Sequence, residues 1–279
     1  MAFRLLEGEP LLHSGIVYLV KGYQHPPGYV IAQPRYSLLL GRKLSTAEAQ
    51  AYVEYSFWDC LKLEVPVLSL ESTYAYKPFS LPHEVFYVKE ALESLLDVEL
   101  SLTGSAIIAS TYRDLDFVVY GAIAGLAEKI SSLISKGVFS RNESLLVSEY
   151  LEKHSKNMSL RDYLYLKKNT VLHFSFMGFH VNLKLVEYKQ GYPACLDEVI
   201  NAQAYTGRVL VEKPLNPHVL PARYEAKLSN GIPVILETFR EVYAELSQGE
   251  YYVVNARLEE RRSGTYLVPD HGFLTHTSA

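Results

Sequence analysis

Asp114 and Asp116 are the residues of this chain whose spacing most directly suggests chemistry. They lie in the run Arg113-Asp114-Leu115-Asp116-Phe117-Val118-Val119-Tyr120-Gly121, whose β-branched and aromatic residues predict a strand. On an extended strand the two carboxylates share a face, about 6–7 Å apart along the backbone. Leu115, Phe117 and Val119 then point the other way, into a core. Two like charges that close repel by roughly 2–3 kcal/mol at an effective dielectric of about 20. A divalent cation removes that repulsion. Magnesium commonly takes one or two carboxylates together with substrate phosphates, and two such ions can support the attacking and leaving oxygens of an in-line phosphoryl transfer.

Gly104 and Ser105 supply a second half. They follow a short strand through Leu100 and Leu102, where a glycine lets the backbone approach a ligand closely. A helix starting there would aim its N–H groups at a phosphate. The Ser105 hydroxyl can add a hydrogen bond to a phosphate oxygen. Taken singly, a Gly-Ser pair is a turn and an Asp-x-Asp a solvated strand edge or helix cap. Strand, Gly-Ser, short helix and Asp-x-Asp on the next strand together make a phosphate-plus-metal arrangement.

These residues need elements to hold them. Up to residue 82 the chain reads as β-rich with one helix. Gly15–Lys21 and Gly28–Ala32 form a hairpin tipped by Gln24-His25-Pro26-Pro27, and Ser45-Thr46-Ala47-Glu48 is a capping box opening a helix toward Trp58. Residues 83–190 alternate helix and strand. Helices are expected over His83–Asp97, from Gly121 to about Ile134, near Ser144–Lys153 and over Ser159–Lys168. Asp114–Tyr120 is a strand, and Val171–Met177 with Phe179–Val186 is a strand pair turning at Gly178. Residues 195–279 carry short strands between turn signals, clearest at Val234–Thr238, Tyr251–Glu259 and Thr265–Val268, which suggests a small β-barrel or sandwich.

Composition sets limits. Over 279 residues, 27 Lys and Arg stand against 31 Asp and Glu, a formal charge of −4, so no global pull toward nucleic acid follows. A local basic cluster remains, at Lys153, Lys156, Arg161, Lys167 and Lys168, read as a solvated helix face or as a phosphate or RNA contact. Cys60 and Cys195 are far apart with no zinc spacing, and are expected to be buried small hydrophobes. The longest apolar stretch, Phe117–Ala127, is too short to span a bilayer, so a cytoplasmic protein with no membrane partner is expected.

Thr103-Gly104-Ser105 followed by Arg113-Asp114-Leu115-Asp116-Phe117-Val118-Val119-Tyr120-Gly121 resembles the signature of the DNA polymerase beta-type nucleotidyltransferase superfamily. More narrowly, it is similar to a group of archaeal predicted nucleotidyltransferases. Val20-Lys21-Gly22-Tyr23, His25-Pro26-Pro27, Ala32 and Arg35-Tyr36 resemble that group's N-terminal signature. The resemblance implies an α+β fold: a nucleotidyltransferase-type mixed sheet with helices, between the N-terminal β-rich segment and the C-terminal barrel. It implies a nucleoside triphosphate and Mg2+, with Asp114 and Asp116 as metal ligands. Gly104 and Ser105 would hold the triphosphate, and Lys21 and His25 would contact substrate or phosphate.

The superfamily usually sets a third carboxylate between apolar residues on a neighbouring strand. The matching stretch here is Val181-Asn182-Leu183. Asn182 can offer a metal its carbonyl oxygen but cannot act as a general base, which leaves that role to His180 or Glu187. The expected function is transfer of a nucleotidyl group to an acceptor hydroxyl. The alternative is a catalytically degenerate nucleotide- or RNA-binding protein that keeps the fold, with nucleic acid contacting the barrel or the Lys153–Lys168 cluster.

Overall fold

A computed structural model describes residues 4–108, 112, 114–121, 123–141, 143–156, 158–187 and 194–276. Arg113 of the acidic run lies outside the described residues. The chain forms two compact units. Met1–Asp59, Leu63–Ser140 and Leu172–Leu196 make the first, and Cys60–Lys62, Arg141–Val171 and Asp197–Ala279 the second. The N-terminal β-rich segment and the strands bearing the acids thus share one unit. The helices of Arg141–Val171, expected in the middle domain, group with the C-terminal strands.

The first unit opens with a sheet built from β1 (Pro10–His13), β2 (Ile16–Val20), β3 (Tyr29–Ser37), β4 (Arg42–Lys43), β5 (Glu54–Trp58), β6 (Leu63–Ser69) and β7 (Tyr74–Ala75), in the order β5-β6-β3-β2-β1-β7, with β4 on β3. The expected hairpin is the antiparallel β2–β3 pair. Its inner face buries Leu11, Ile16, Tyr18, Val20, Val30, Ala32 and Leu68. The capping box at Ser45 forms, but the helix it opens, α1, stops at Gln50 instead of running toward Trp58. None of its residues is fully buried, so little core packing extends it, whereas Tyr55, Phe57 and Trp58 are better strand residues and pair with β6.

The acids belong to a second, mixed sheet of this unit, with β8 (Ser101–Thr103), β9 (Asp114–Tyr120), β10 (His173–Phe176) and β11 (Phe179–Val186) in the order β10-β11-β9-β8. β9 and β11 run parallel; the outer pairs are antiparallel. Met177 and Gly178, at φ +50° and +83°, make the tight turn between β10 and β11. Leu115, Phe117, Val119, Val181, Leu183 and Leu185 are each at most 2% exposed and form the buried side. Helix α2 (His83–Leu96) buries Val85, Val88, Leu92 and Leu96, each worth roughly 1.5–3 kcal/mol on burial. Helix α3 starts at Leu126, later than expected, because Gly125 in the left-handed region caps it.

In the second unit, α4 (Glu143–Glu149), a π-turn at Tyr150–His154 and α5 (Leu160–Lys167) accompany β12 (Val199–Asn216), β13 (Val219–Leu220), β14 (Ala222–Leu228), β15 (Pro233–Thr238), β16 (Gly249–Arg261), β17 (Gly264–Val268) and β18 (Phe273–His276). β12 pairs with β14 on one side and β16 on the other; β14 pairs with β15, β15 with β17 and β17 with β16. The pairings therefore form a circuit that returns to β12. Tyr163 and Leu166 of α5 pack with Tyr224, Leu236, Tyr243 and Tyr251 in this unit's core. Among the described residues no helix is long and apolar enough to cross a membrane. Cys60 and Cys195 are not two separate hydrophobes: neither is a free thiol, and each is disulfide-bonded.

Candidate phosphate and metal site

The polar side of the mixed sheet follows from strand alternation. Asp114 pairs with His180, Asp116 with Asn182 and Val118 with Lys184 across the parallel β9–β11 ladder, while Thr103 of β8 pairs with Asp116 from the other side. His180, Asn182 and Lys184 therefore line the same face as the two acids. Asn182, 2% exposed, donates from Nδ2 to Asp114 Oδ2 at 3.2 Å and to Asp116 Oδ1 at 2.9 Å. One amide nitrogen thus holds both carboxylates together through charge-assisted hydrogen bonds, offsetting their repulsion. Its own carbonyl, Oδ1, is buried without a hydrogen-bond partner.

Gly104 closes the site from the β8 side. Its φ is +71°, and a Cβ placed on it would lie 1.9 Å from Asp116 Oδ2, 2.7 Å from Cγ and 2.8 Å from Cβ. The bare backbone of Gly104 and the Asn182 amide clasp the Asp116 carboxylate between them. Ser105 opens a 3₁₀ turn, Ser105–Ile108, in place of the expected helix, anchored by buried Ala106 and Ile107. The turn still leaves backbone amides beside the acids, but too few for a helix dipole to develop. Gly104, Ser105, Asp114, Asp116 and Asn182 are thus brought to one place. Of the two bases considered, His180 sits beside Asp114, whereas Glu187 lies beyond the end of β11.

Lys21 and His25 both have protein partners. Lys21 Nζ is 3.0 Å from Glu7 Oε1, and the Gly22 amide donates to Glu7 Oε2 at 2.7 Å. His25, 4% exposed, has Nε2 2.9 Å from the Leu5 carbonyl, and its Nδ1 accepts from the Ile31 amide at 3.2 Å. Both ring nitrogens are engaged with backbone, so His25 has none to offer a ligand. What these residues fix is the loop at Leu5–Glu9. Its Gly8 carbonyl accepts from Thr103 Oγ1 at 3.2 Å, its Glu7 carbonyl accepts from Tyr120 Oη at 3.3 Å, and Gly8 rests against Val118. These N-terminal residues hold a loop laid across the acidic sheet.

Burial lowers the pKa of His25 from 6.5, outweighing the Leu5 hydrogen bond and the Glu7 charge that favour its protonated form. A histidine lowered on folding stabilises the native state fully above its unfolded value and loses that contribution as pH falls through the folded one. His271, pushed down to about 4 by burial, has the same sign. The melting temperature is therefore expected to fall as pH is lowered from 7.5 to 5. In His25→Phe that decline should be shallower, from a lower starting point. An equal slope in both proteins would show that His25 does not govern the acid limb.

Sequence reading left Tyr36 without a role. It is 4% exposed on β3, and its phenol feels the charges of Arg35, Asp116 and Lys184, although desolvation is the main cause of its raised pKa. The basic cluster of the second unit is less available than expected. Lys167 is buried and donates to the Glu241 carbonyl at 2.8 Å, Lys153 pairs with Glu149 at 3.3 Å, and Lys168 lies 3.7 Å over the Tyr165 ring. Lys156 and Arg161 are exposed. Comparison with protein-family models, curated proteins and solved structures gives no match to this chain.

Proposed function

We propose that the chain is a nucleotidyltransferase of the DNA polymerase beta type, binding a nucleoside triphosphate with magnesium at Asp114, Asp116, Asn182, Gly104 and Ser105. The observation that carries this reading is the convergence of Gly104, both carboxylates and Asn182 on one polar sheet face. Two carboxylates, joined by the Asn182 oxygen once its carboxamide turns to face them, would make an all-oxygen donor set of the kind magnesium prefers. When bound, the ion supplies charge neutralisation at the phosphates. The residues supply position: the Ser105 hydroxyl and turn amides hold phosphate oxygens, and the acids fix the ion. An acceptor hydroxyl forms its new bond to the α-phosphorus, the bond to the bridging oxygen breaks, and pyrophosphate leaves. His180, whose strand position pairs with Asp114, would take the hydroxyl proton.

The strand circuit of the second unit supports a closed small barrel, and with it an RNA or other nucleic-acid acceptor. We propose a cytoplasmic location.

A second reading is favoured by one specific observation. The Asn182 amide nitrogen already joins both carboxylates, as a cation would, which suits a degenerate site that binds nucleotide without transferring it. Calorimetric titration of the four ribonucleoside triphosphates, with and without magnesium, tests both readings. Binding should need magnesium and weaken at least about tenfold in Asp114→Ala/Asp116→Ala, a loss on the scale of charged hydrogen bonds. Unchanged binding in that variant would remove the site. Pyrophosphate release supports transfer; binding without release, with magnesium affinity gained by Asn182→Asp, supports the degenerate reading.

A further inference from the structure

The sheet face that carries the acids also carries a lysine. Lys184 follows Asn182 by two residues on β11 and pairs with Val118, so alternation sets it on the side of Asp114, Asp116 and Asn182. Its stem has a fixed course. A Cβ on Gly8 would lie 3.2 Å from Val118 Cγ2 and 3.9 Å from Lys184 Cδ, so the loop held by Lys21 and His25 rests on both side chains. The lysine is accordingly half-buried, with its aliphatic part under the loop. The buried Tyr36 phenol feels the charges of both Asp116 and Lys184, in keeping with the register that sets the lysine one step along the ladder from the Asn182–Asp116 pair.

The charges on this sheet face partly cancel. Asp114 and Asp116 bring two negative charges, Lys184 one positive charge, and Asn182 none. A pair of divalent ions is a clamp for acidic sites. Here part of the positive charge is attached to the protein, and a carboxylate that would have helped hold a second ion is an amide. Lysine suits the task, since its ammonium acts on phosphate as a compact point charge.

Resting on the reading that this site takes a nucleoside triphosphate, we propose that Lys184 is a phosphate-binding residue. Its ammonium receives the phosphate chain in place of a second divalent ion, so the nucleotide enters with one magnesium. The alternative use of Lys184, as a structural counter-ion to Asp116, makes a different prediction: its removal would lower stability and leave phosphate affinity to the remaining groups.

The test uses the full chain and inorganic triphosphate, a probe without base or sugar, alongside the four nucleoside triphosphates and their nucleosides. Lys184→Met keeps the stem that packs on Gly8 and Val118 and removes the charge. It should weaken triphosphate binding about tenfold or more, reduce the salt dependence of binding, and leave the melting temperature nearly unchanged. Lys184→Arg should bind within about threefold of the wild type. In equilibrium dialysis the wild-type protein saturated with triphosphate should retain one magnesium per chain, a measurement that needs no variant. Equal triphosphate affinity in the wild type and Lys184→Met would overturn the role of Lys184 and leave the nucleotide reading standing, as would two retained magnesium ions per chain. A wild-type protein that binds no triphosphate would overturn the nucleotide reading and this proposal with it.

Discussion

Gly104→Ala is expected to abolish magnesium-dependent triphosphate binding and to lower the melting temperature by roughly 5–15 °C, combining two costs whose scales are known. The first is conformational: an L-residue at φ +71° costs roughly 1–2 kcal/mol. The second is steric. The new methyl would meet Asp116 at Oδ2, Cγ and Cβ together, the nearest at 1.9 Å. Because Cβ is among the atoms struck, turning the carboxylate does not relieve the overlap, and β8 and β9 must move apart. Overpacking of this kind costs roughly 1–3 kcal/mol, and the Asn182 bridge to Asp116 is lost with it. Gly28→Ala is the control. Gly28 has φ +78° with nothing within 4 Å of its Cβ position, so that variant carries the conformational cost alone. Triphosphate binding by Gly104→Ala at wild-type strength would show that the Gly104–Asp116 contact has no part in the site.

Arg261→Met is expected to be the most damaging single change in the second unit. Arg261 Nη1 lies 2.8 Å from Glu237 Oε1 and its Nε 2.6 Å from Glu259 Oε2, and both carboxylates are 3% exposed. The guanidinium also stacks 4.1 Å over the Tyr266 ring. Breaking a buried pair by removing one partner typically costs 3–5 kcal/mol, because the remaining charge is stranded. Here Glu237 keeps Arg223 at 2.8 Å and Glu259 keeps Arg257 at 2.7 Å, which argues for the lower end. A loss of about 3 kcal/mol corresponds to a melting temperature roughly 6–12 °C lower by differential scanning calorimetry. A shift under about 2 °C would mean that the two remaining arginines suffice and that the network is redundant.

How legible all this is in the sequence depends on the range of the interaction. Alternation along one strand is local, so the shared face of Asp114 and Asp116 and the buried side at Leu115, Phe117 and Val119 follow from residue order alone. The capping box at Ser45 and the turn at Met177-Gly178 are local too. The pairing of Asn182 with Asp116 spans many residues, and no periodicity specifies which strand lies beside which. Only the resemblance suggested it, and the amide's donation to both acids was not anticipated. The partners of Lys21 and His25 are hidden for the same reason: no local pattern shows that the buried Glu7 and the backbone of Leu5 come to meet them. β12 lacks a clean strand signal because register shifts flank Tyr205/Gly207 and Pro214/Asn216 and break its alternation.

The clasp on Asp116 also bears on the thermodynamics and spectroscopy of binding. A carboxylate wedged between a glycine backbone and an amide has little rotamer freedom left to surrender, so the side-chain ordering cost of capturing a ligand there is small. The remaining adjustable element is the Asn182 carboxamide, whose half-turn would exchange the nitrogen facing the acids for the oxygen that lacks a partner. Its two side-chain protons lie between two anions in the ligand-free protein. The Asn182 side-chain 15N–1H pair is thus a built-in NMR probe, and its resonances should shift strongly when a cation displaces that hydrogen-bonded bridge.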